Sequence, residues 1–142
     1  MNIGSVEEMK QFAENVLNDV RPGKEAAVIG LSGDLGAGKT TFAQHISRIL
    51  GVEETVTSPT FVIQKMYPLI GQEFDKLVHI DAYRIEDPHE LEILRWHHTI
   101  ADPKNIILIE WPEKVKELLP KKTKMIHFSY IDDENREVII EK

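Results

Sequence analysis

Ala26-Ala27-Val28-Ile29-Gly30-Leu31 runs through Ser32 into Gly33-Asp34-Leu35-Gly36-Ala37-Gly38-Lys39-Thr40, and a patterned stretch over residues 41–50 follows. The first six residues form a short apolar run of the kind that makes a strand buried on both faces. The last ten put Phe42, Ile46 and Ile49 on one helical face, with Gly51 just past the end. Between them G-x-x-x-x-G-K-[ST] is met at every fixed position. Strand, glycine loop and helix in this order are the setting in which that pattern cradles phosphates. Gly33, Gly36 and Gly38 permit backbone angles and close approach that a Cβ would block, so loop N–H groups can converge on an anion. The helix that starts near Lys39 adds its positive end at the same spot. Lys39 is placed to reach the β- and γ-phosphates of a nucleotide, and Thr40 to give its hydroxyl to Mg²⁺. Asp34, Leu35, Ala37 and Thr41 complete the expected nucleotide-binding stretch.

Such a loop also needs an acid at the end of a neighbouring strand to organise magnesium and water. Two strands qualify. Ile106-Ile107-Leu108-Ile109-Glu110 is four apolar residues ending in a carboxylate, and Leu77-Val78-His79-Ile80-Asp81 has the same form with a histidine inside. Glu110 is assigned to the metal beside Thr40, and Asp81 to positioning or activating the attacking water; the reverse assignment stays open. Between loop and acids, Thr57-Ser58-Pro59-Thr60 sets small hydroxyl residues around a proline. Such a segment either closes over a γ-phosphate, as switch loops do, or simply leads into a strand.

Outward from this centre the chain reads as one α/β domain, residues 1–142. Ser5 and Glu8 have capping-box spacing, each side chain satisfying the other's free backbone donor. Met9, Phe12, Val16 and Leu17 then mark a helix face closed by Pro22-Gly23. Residues 60–67 and 76–85 read as strands. Asp87-Pro88-His89-Glu90 opens a helix, with an acid at N-cap, proline at N1 and glutamate at N3, predicted to run to about residue 100. A buried strand over 105–109, a short helix over 113–119 and a closing hairpin of 125–131 and 136–140 complete it. The expected fold is a P-loop NTPase-like domain, a central mixed sheet flanked by helices, with a C-terminal β-hairpin.

Composition limits the partners. At 142 residues the chain is long enough for a real core. Its net charge of −7 opposes binding nucleic acid unaided, because neutralising phosphates needs a clustered basic face. The one basic cluster, Lys121, Lys122 and Lys124, reads more readily as a solvated turn before a strand. No apolar run approaches the ~20 residues that span a bilayer, and Glu7 and Glu8 sit where a signal peptide would be positive. Cysteine is absent, which removes disulfide and thiolate chemistry. A cytoplasmic protein with no membrane contact is expected.

Three blocks together resemble the bacterial TsaE proteins. They are the loop through Thr41-Phe42, then Thr57-Ser58-Pro59-Thr60-Phe61, then His79-Ile80-Asp81-Ala82-Tyr83-Arg84. Ile109-Glu110-Trp111-Pro112-Glu113 completes the order and spacing, so the likeness spans nearly the whole chain. The resemblance implies ATP and Mg²⁺ as ligands, slow ATP hydrolysis, and support of threonylcarbamoyladenosine formation in tRNA. The partners implied are TsaB and TsaD, with tRNA reached only through them and TsaD acting as the transferase. It also raises Asp81, Glu110 and Trp111 as functional positions and lends Thr57 and Ser58 the switch role, although a tryptophan after a buried strand is commonly packing. Leu94-Arg95-Trp96-His97-His98-Thr99 departs from the family's usual glycine and acidic–aromatic pair. The missing glycine predicts a straighter or longer helix there.

Two other classes fit less of the chain. A small-molecule kinase clamps the moving phosphoryl group with several arginines, whereas Arg21, Arg48, Arg84, Arg95 and Arg136 are dispersed. A nucleotide sensor would need the loop but not hydrolysis. A GTPase is disfavoured by the lack of an N-K-x-D guanine-reading motif.

Overall fold

The computed structural model describes residues 1–34, 36–53 and 64–141. Its centre is β5 (Asn105–Glu110), in which every residue is buried. Alternation along this strand sends Ile106 and Leu108 into one apolar cluster and Ile107 and Ile109 into another. A strand apolar on both faces must be covered on both faces, and the remaining elements do this.

The sheet is mixed and seven-stranded, in the order β1-β7-β6-β2-β5-β4-β3. Its strands are β1 (Asn2–Ile3), β2 (Ala27–Gly33), β3 (Gln64–Pro68), β4 (Lys76–Asp81), β5, β6 (Lys124–Tyr130) and β7 (Arg136–Ile140). The inner four are parallel, β6 to β2, β2 to β5 and β5 to β4. The antiparallel β3 and β7 lie outside them, with β1 beyond β7. The predicted C-terminal hairpin is therefore β6–β7.

One face carries α1 (Val6–Asn18) and α2 (Lys39–Ile49). Phe42 of α2 is its hub, with ring centroids 5.6 Å from Phe12 and 5.5 Å from Phe128. The other face holds α3 (Glu90–Ile93), α4 (Trp96–Ala101) and a 3₁₀ segment, Pro112–Leu118, which bury Leu91, Trp96 and Val115 against Val28, Val78 and Ile107. Truncating a buried aromatic of this size costs about 3–5 kcal/mol, so Trp96 anchors this layer.

Several boundaries differ from the sequence reading. The helix expected over residues 87–100 is two short helices, broken at Arg95, which is left-handed at φ 63°, ψ 41°. Loss of a glycine there lengthens nothing. Leu91 and Trp96 are five residues apart, which in a continuous helix would turn them about 140° from each other. The break lets both face the sheet, at a cost of about 1–2 kcal/mol for a non-glycine residue in this conformation. Asp87 is not the N-cap, since His89 holds that place. The Asp87 carboxylate instead accepts the His89 N–H at 3.0 Å. The capping box at α1 is half reciprocal. Ser5 Oγ accepts the Glu8 N–H at 3.1 Å, but Glu8 Oε2 accepts from Gly4 at 3.2 Å, one residue before the cap. The strand expected over 76–85 stops at Asp81, and the helix expected over 113–119 is 3₁₀ with a kink at Val115. Residues 60–63 of the expected 60–67 strand lie outside the described residues.

Candidate phosphate and metal site

The four inner strands end together on one edge of the sheet, where parallel α/β sheets place their ligands. Here β2 passes into the glycine loop. Register sets Leu31, Glu110 and Asp81 side by side on β2, β5 and β4. Strand alternation carries the consequence further. Leu77 and Leu108 face the cluster beneath α1 and α2. So His79 and Asp81, two and four residues beyond Leu77, and Glu110, two beyond Leu108, belong to the face that carries the loop helix.

At Gly33, φ is 141°, and a Cβ would fall inside contact distance of the Phe128 carbonyl oxygen on β6. Glycine is required there by both angle and space. Gly38, at φ 107°, is the N-cap of α2 and, as a glycine, has no side chain to cap that helix start itself. A glycine at this position does not supply the side-chain cap that a serine or aspartate would, which suits an anion at the helix's positive end. Gly36 needs glycine only for its φ of 81°, because nothing stands within 4 Å of its notional Cβ. Thr40 and Thr41 are exposed in the first turn, Asp34 is exposed and Ala37 buried.

Lys39 is 5% exposed. Its ammonium donates to the Gly33 carbonyl at 2.5 Å and stands 3.8 Å from the ring centroid of Trp111. Burial lowers its pKa below the usual lysine value, and the carboxylates of Glu110, Glu113, Asp81 and Asp34 oppose that shift. A cation held in a dry place is ready for a polyanion, whose charge takes the place of the hydration that burial removed.

Trp111 reaches this position through an unusual backbone, φ 59° and ψ 49°. Bulky side chains rarely adopt it, and a residue before proline avoids helical angles as well. Its N–H bonds the Leu31 carbonyl at 3.2 Å, and its ring meets that of Tyr83 at 5.0 Å. Strain of this kind concentrates at functional sites. Asp81 is half-buried and its Oδ1 accepts the Tyr83 N–H at 3.0 Å.

In sequence His79 is a histidine inside an otherwise apolar strand and the first residue of the block that ends at Arg84, with no role assigned to it. It is fully buried, and its Nε2 lies 2.8 Å from Glu110 Oε2. Donation from Nε2 to the ionised carboxylate is a strong charge-assisted bond that fixes its direction. His79 Nδ1 is buried with no hydrogen-bond partner among the described residues. The signal was available, since His79 shares strand parity with Asp81. Arg136 was likewise read as a dispersed surface arginine, yet its Nε donates to the Gly36 carbonyl at 3.1 Å.

Lys39, Thr40, Glu110, Asp81 and Trp111 are therefore assembled at one sheet edge. A helix start with glycine at its N-cap, a glycine that a Cβ would spoil, and two carboxylates in register fit a magnesium polyphosphate. Leu35, Thr57 and Ser58 lie outside the described residues. Arg84 is exposed in the turn after β4.

Over residues 3–138 the chain matches the family model for threonylcarbamoyl adenosine biosynthesis protein TsaE. It is 36% identical over 124 residues to the tRNA threonylcarbamoyladenosine biosynthesis protein TsaE of Haemophilus influenzae, covering 87% of this chain and 75% of that one. The TsaE protein of Bacillus subtilis is 36% identical over 133 residues, covering 93% and 78%. The crystal structure of YdiB from Bacillus subtilis superposes with a TM-score of 0.71 at 29% identity, covering 99% of this chain and 82% of that one.

Proposed function

This chain belongs to the TsaE family of threonylcarbamoyl adenosine biosynthesis proteins, and on that footing we propose that it binds Mg-ATP at residues 33–40 and hydrolyses it slowly. Its nucleotide cycle serves threonylcarbamoylation of the tRNA adenosine next to the anticodon, through a TsaB–TsaD pair, in the cytoplasm. The observation that carries this reading is the buried Lys39 ammonium at the start of α2, one strand end away from Glu110 and two from Asp81.

The division of labour follows from these positions. Backbone N–H groups of the loop and of the first turn of α2 hold phosphate oxygens. Lys39 leaves the Gly33 carbonyl for the β- and γ-phosphates, whose charge offsets the hydration it loses by burial. Thr40 and Glu110 hold the metal, with His79 keeping the Glu110 carboxylate aimed. Mg²⁺, when bound, neutralises phosphate charge and fixes the reacting group. Asp81, held by the Tyr83 N–H, orients water. Trp111 covers the Lys39 ammonium and limits water around it. Thr57 and Ser58 close over the γ-phosphate in this proposal.

The net charge of −7 supports an indirect relation to tRNA, since an acidic chain gains little from phosphate contact. A partner that completes the site with a cation accelerates such reactions by about 10³–10⁵-fold. The test is a reconstituted modification reaction. The TsaB–TsaD pair, tRNA and the activated threonylcarbamoyl donor are incubated with and without this protein and Mg-ATP. Repeated rounds of modification should require both, and ATP hydrolysis should rise when the pair is added. Modification that proceeds equally without the protein would refute the role, and phosphate transfer to a small acceptor would favour a kinase.

A further inference from the structure

The nucleoside end of a nucleotide needs a seat of its own beside the phosphate loop. The acids that attend the γ-phosphate lie on β5 and β4, to one side of β2. A phosphate chain with its γ end there has its other end free to run toward the opposite side, where β6 and β7 lie. There Gly33 is in register with Phe128, so β6 continues two residues past the start of the loop, to Tyr130.

Tyr130 and Arg136 are cross-strand partners on β6 and β7. By alternation from Phe128 and Val138, both face the side that carries α2. The Arg136 guanidinium lies over the Tyr130 ring, 4.6 Å from its centroid. It also bonds the Gly36 carbonyl through Nε and the Asp132 and Asn135 carbonyls through a terminal nitrogen. Tyr130 Oη donates to Asp133. A guanidinium stacked on an aromatic ring is thus tied at three carbonyls, one of them in the phosphate loop. Tyr130 as a residue remains 50% exposed, and an aromatic ring is a flat surface of the sort on which bases stack.

We propose that Tyr130 and Arg136 of the β6–β7 hairpin seat the purine nucleoside, making this hairpin the part of the protein that distinguishes a nucleotide from bare polyphosphate. This rests on the nucleotide-binding reading above and adds to it the element that reads the base.

The experiment compares Mg-ATP with magnesium tripolyphosphate, which shares the phosphates and lacks the nucleoside. Dissociation constants are measured by calorimetry on the full chain, as wild type, Tyr130→Ala and Tyr130→Phe. Tyr130→Ala should weaken Mg-ATP about tenfold, the scale of one lost base–aromatic contact, and leave tripolyphosphate unchanged. Tyr130→Phe keeps the ring and should match wild type on both. Equal weakening of both ligands by Tyr130→Ala, or no weakening of either, overturns the proposal. A Tyr130→Phe variant as impaired toward ATP as the alanine also overturns it. Wild type that binds neither ligand removes the nucleotide reading itself, an outcome distinct from loss of the ATP preference alone.

Discussion

Lys39→Ala is expected to lower Mg-ATP hydrolysis by about 10²–10³-fold, the usual loss when one preorganised donor is withdrawn from developing charge. The effect should fall on function and leave the fold in place. Alanine is the best helix former and suits the first turn of α2. The change gives up the contact with Trp111, of the order of 0.5–2 kcal/mol, and relieves a buried cation whose charged form burial disfavours. These offset each other, so thermal melting should move by about 5 °C or less. Phosphate release and a calorimetric melt check the two halves. Hydrolysis at the wild-type rate would mean that the ammonium stays on the Gly33 carbonyl and never meets a phosphate.

The next largest effects come from the two carboxylates, which should fail in different ways. Asp81→Asn should cut turnover by about 10²–10⁴-fold, the range for removing a group that orients or activates water, with Mg-ATP affinity held. Glu110→Gln preserves shape and still accepts from His79 Nε2, but it takes the charge from the proposed metal site. Its hydrolysis should recover partly as Mg²⁺ is raised, whereas that of Asp81→Asn should not. The reason lies in placement. Glu110 is buried and locked by a 2.8 Å bond, suiting a fixed ligand, while Asp81 is half-buried, nearer to water. Magnesium titrations of both variants read the difference. Rescue of Asp81→Asn alone would exchange the two roles.

Much of the sheet was legible because β2, β4 and β5 are short, mostly apolar runs that end at polar residues, a length and pattern that suit a buried strand better than a helix. The glycine loop was legible because its spacing is rigid. What escaped depends on contacts between distant residues. Arg136 is 100 residues from Gly36, and no local pattern ties them. His79 was visible as a polar residue in a core strand, but its partner is 31 residues away, across a strand pairing that only the fold sets. The break at Arg95 escaped because propensity favoured one helix, while the five-residue spacing of Leu91 and Trp96 demanded two. The αL turn at Trp111 was hidden for the opposite reason, since bulk and the following proline both argue against it. Thr57 and Ser58, the expected switch, lie outside the described residues.

Titration of the full chain with ATP, with and without Mg²⁺, tests the central claim most directly. The account predicts saturable one-to-one binding with Mg²⁺, markedly weaker binding once the metal is chelated, and none of comparable strength in Lys39→Ala. Wild-type protein that takes up no Mg-ATP, or a Lys39→Ala variant that binds it equally well, would contradict the assignment of residues 33–40 as the nucleotide site.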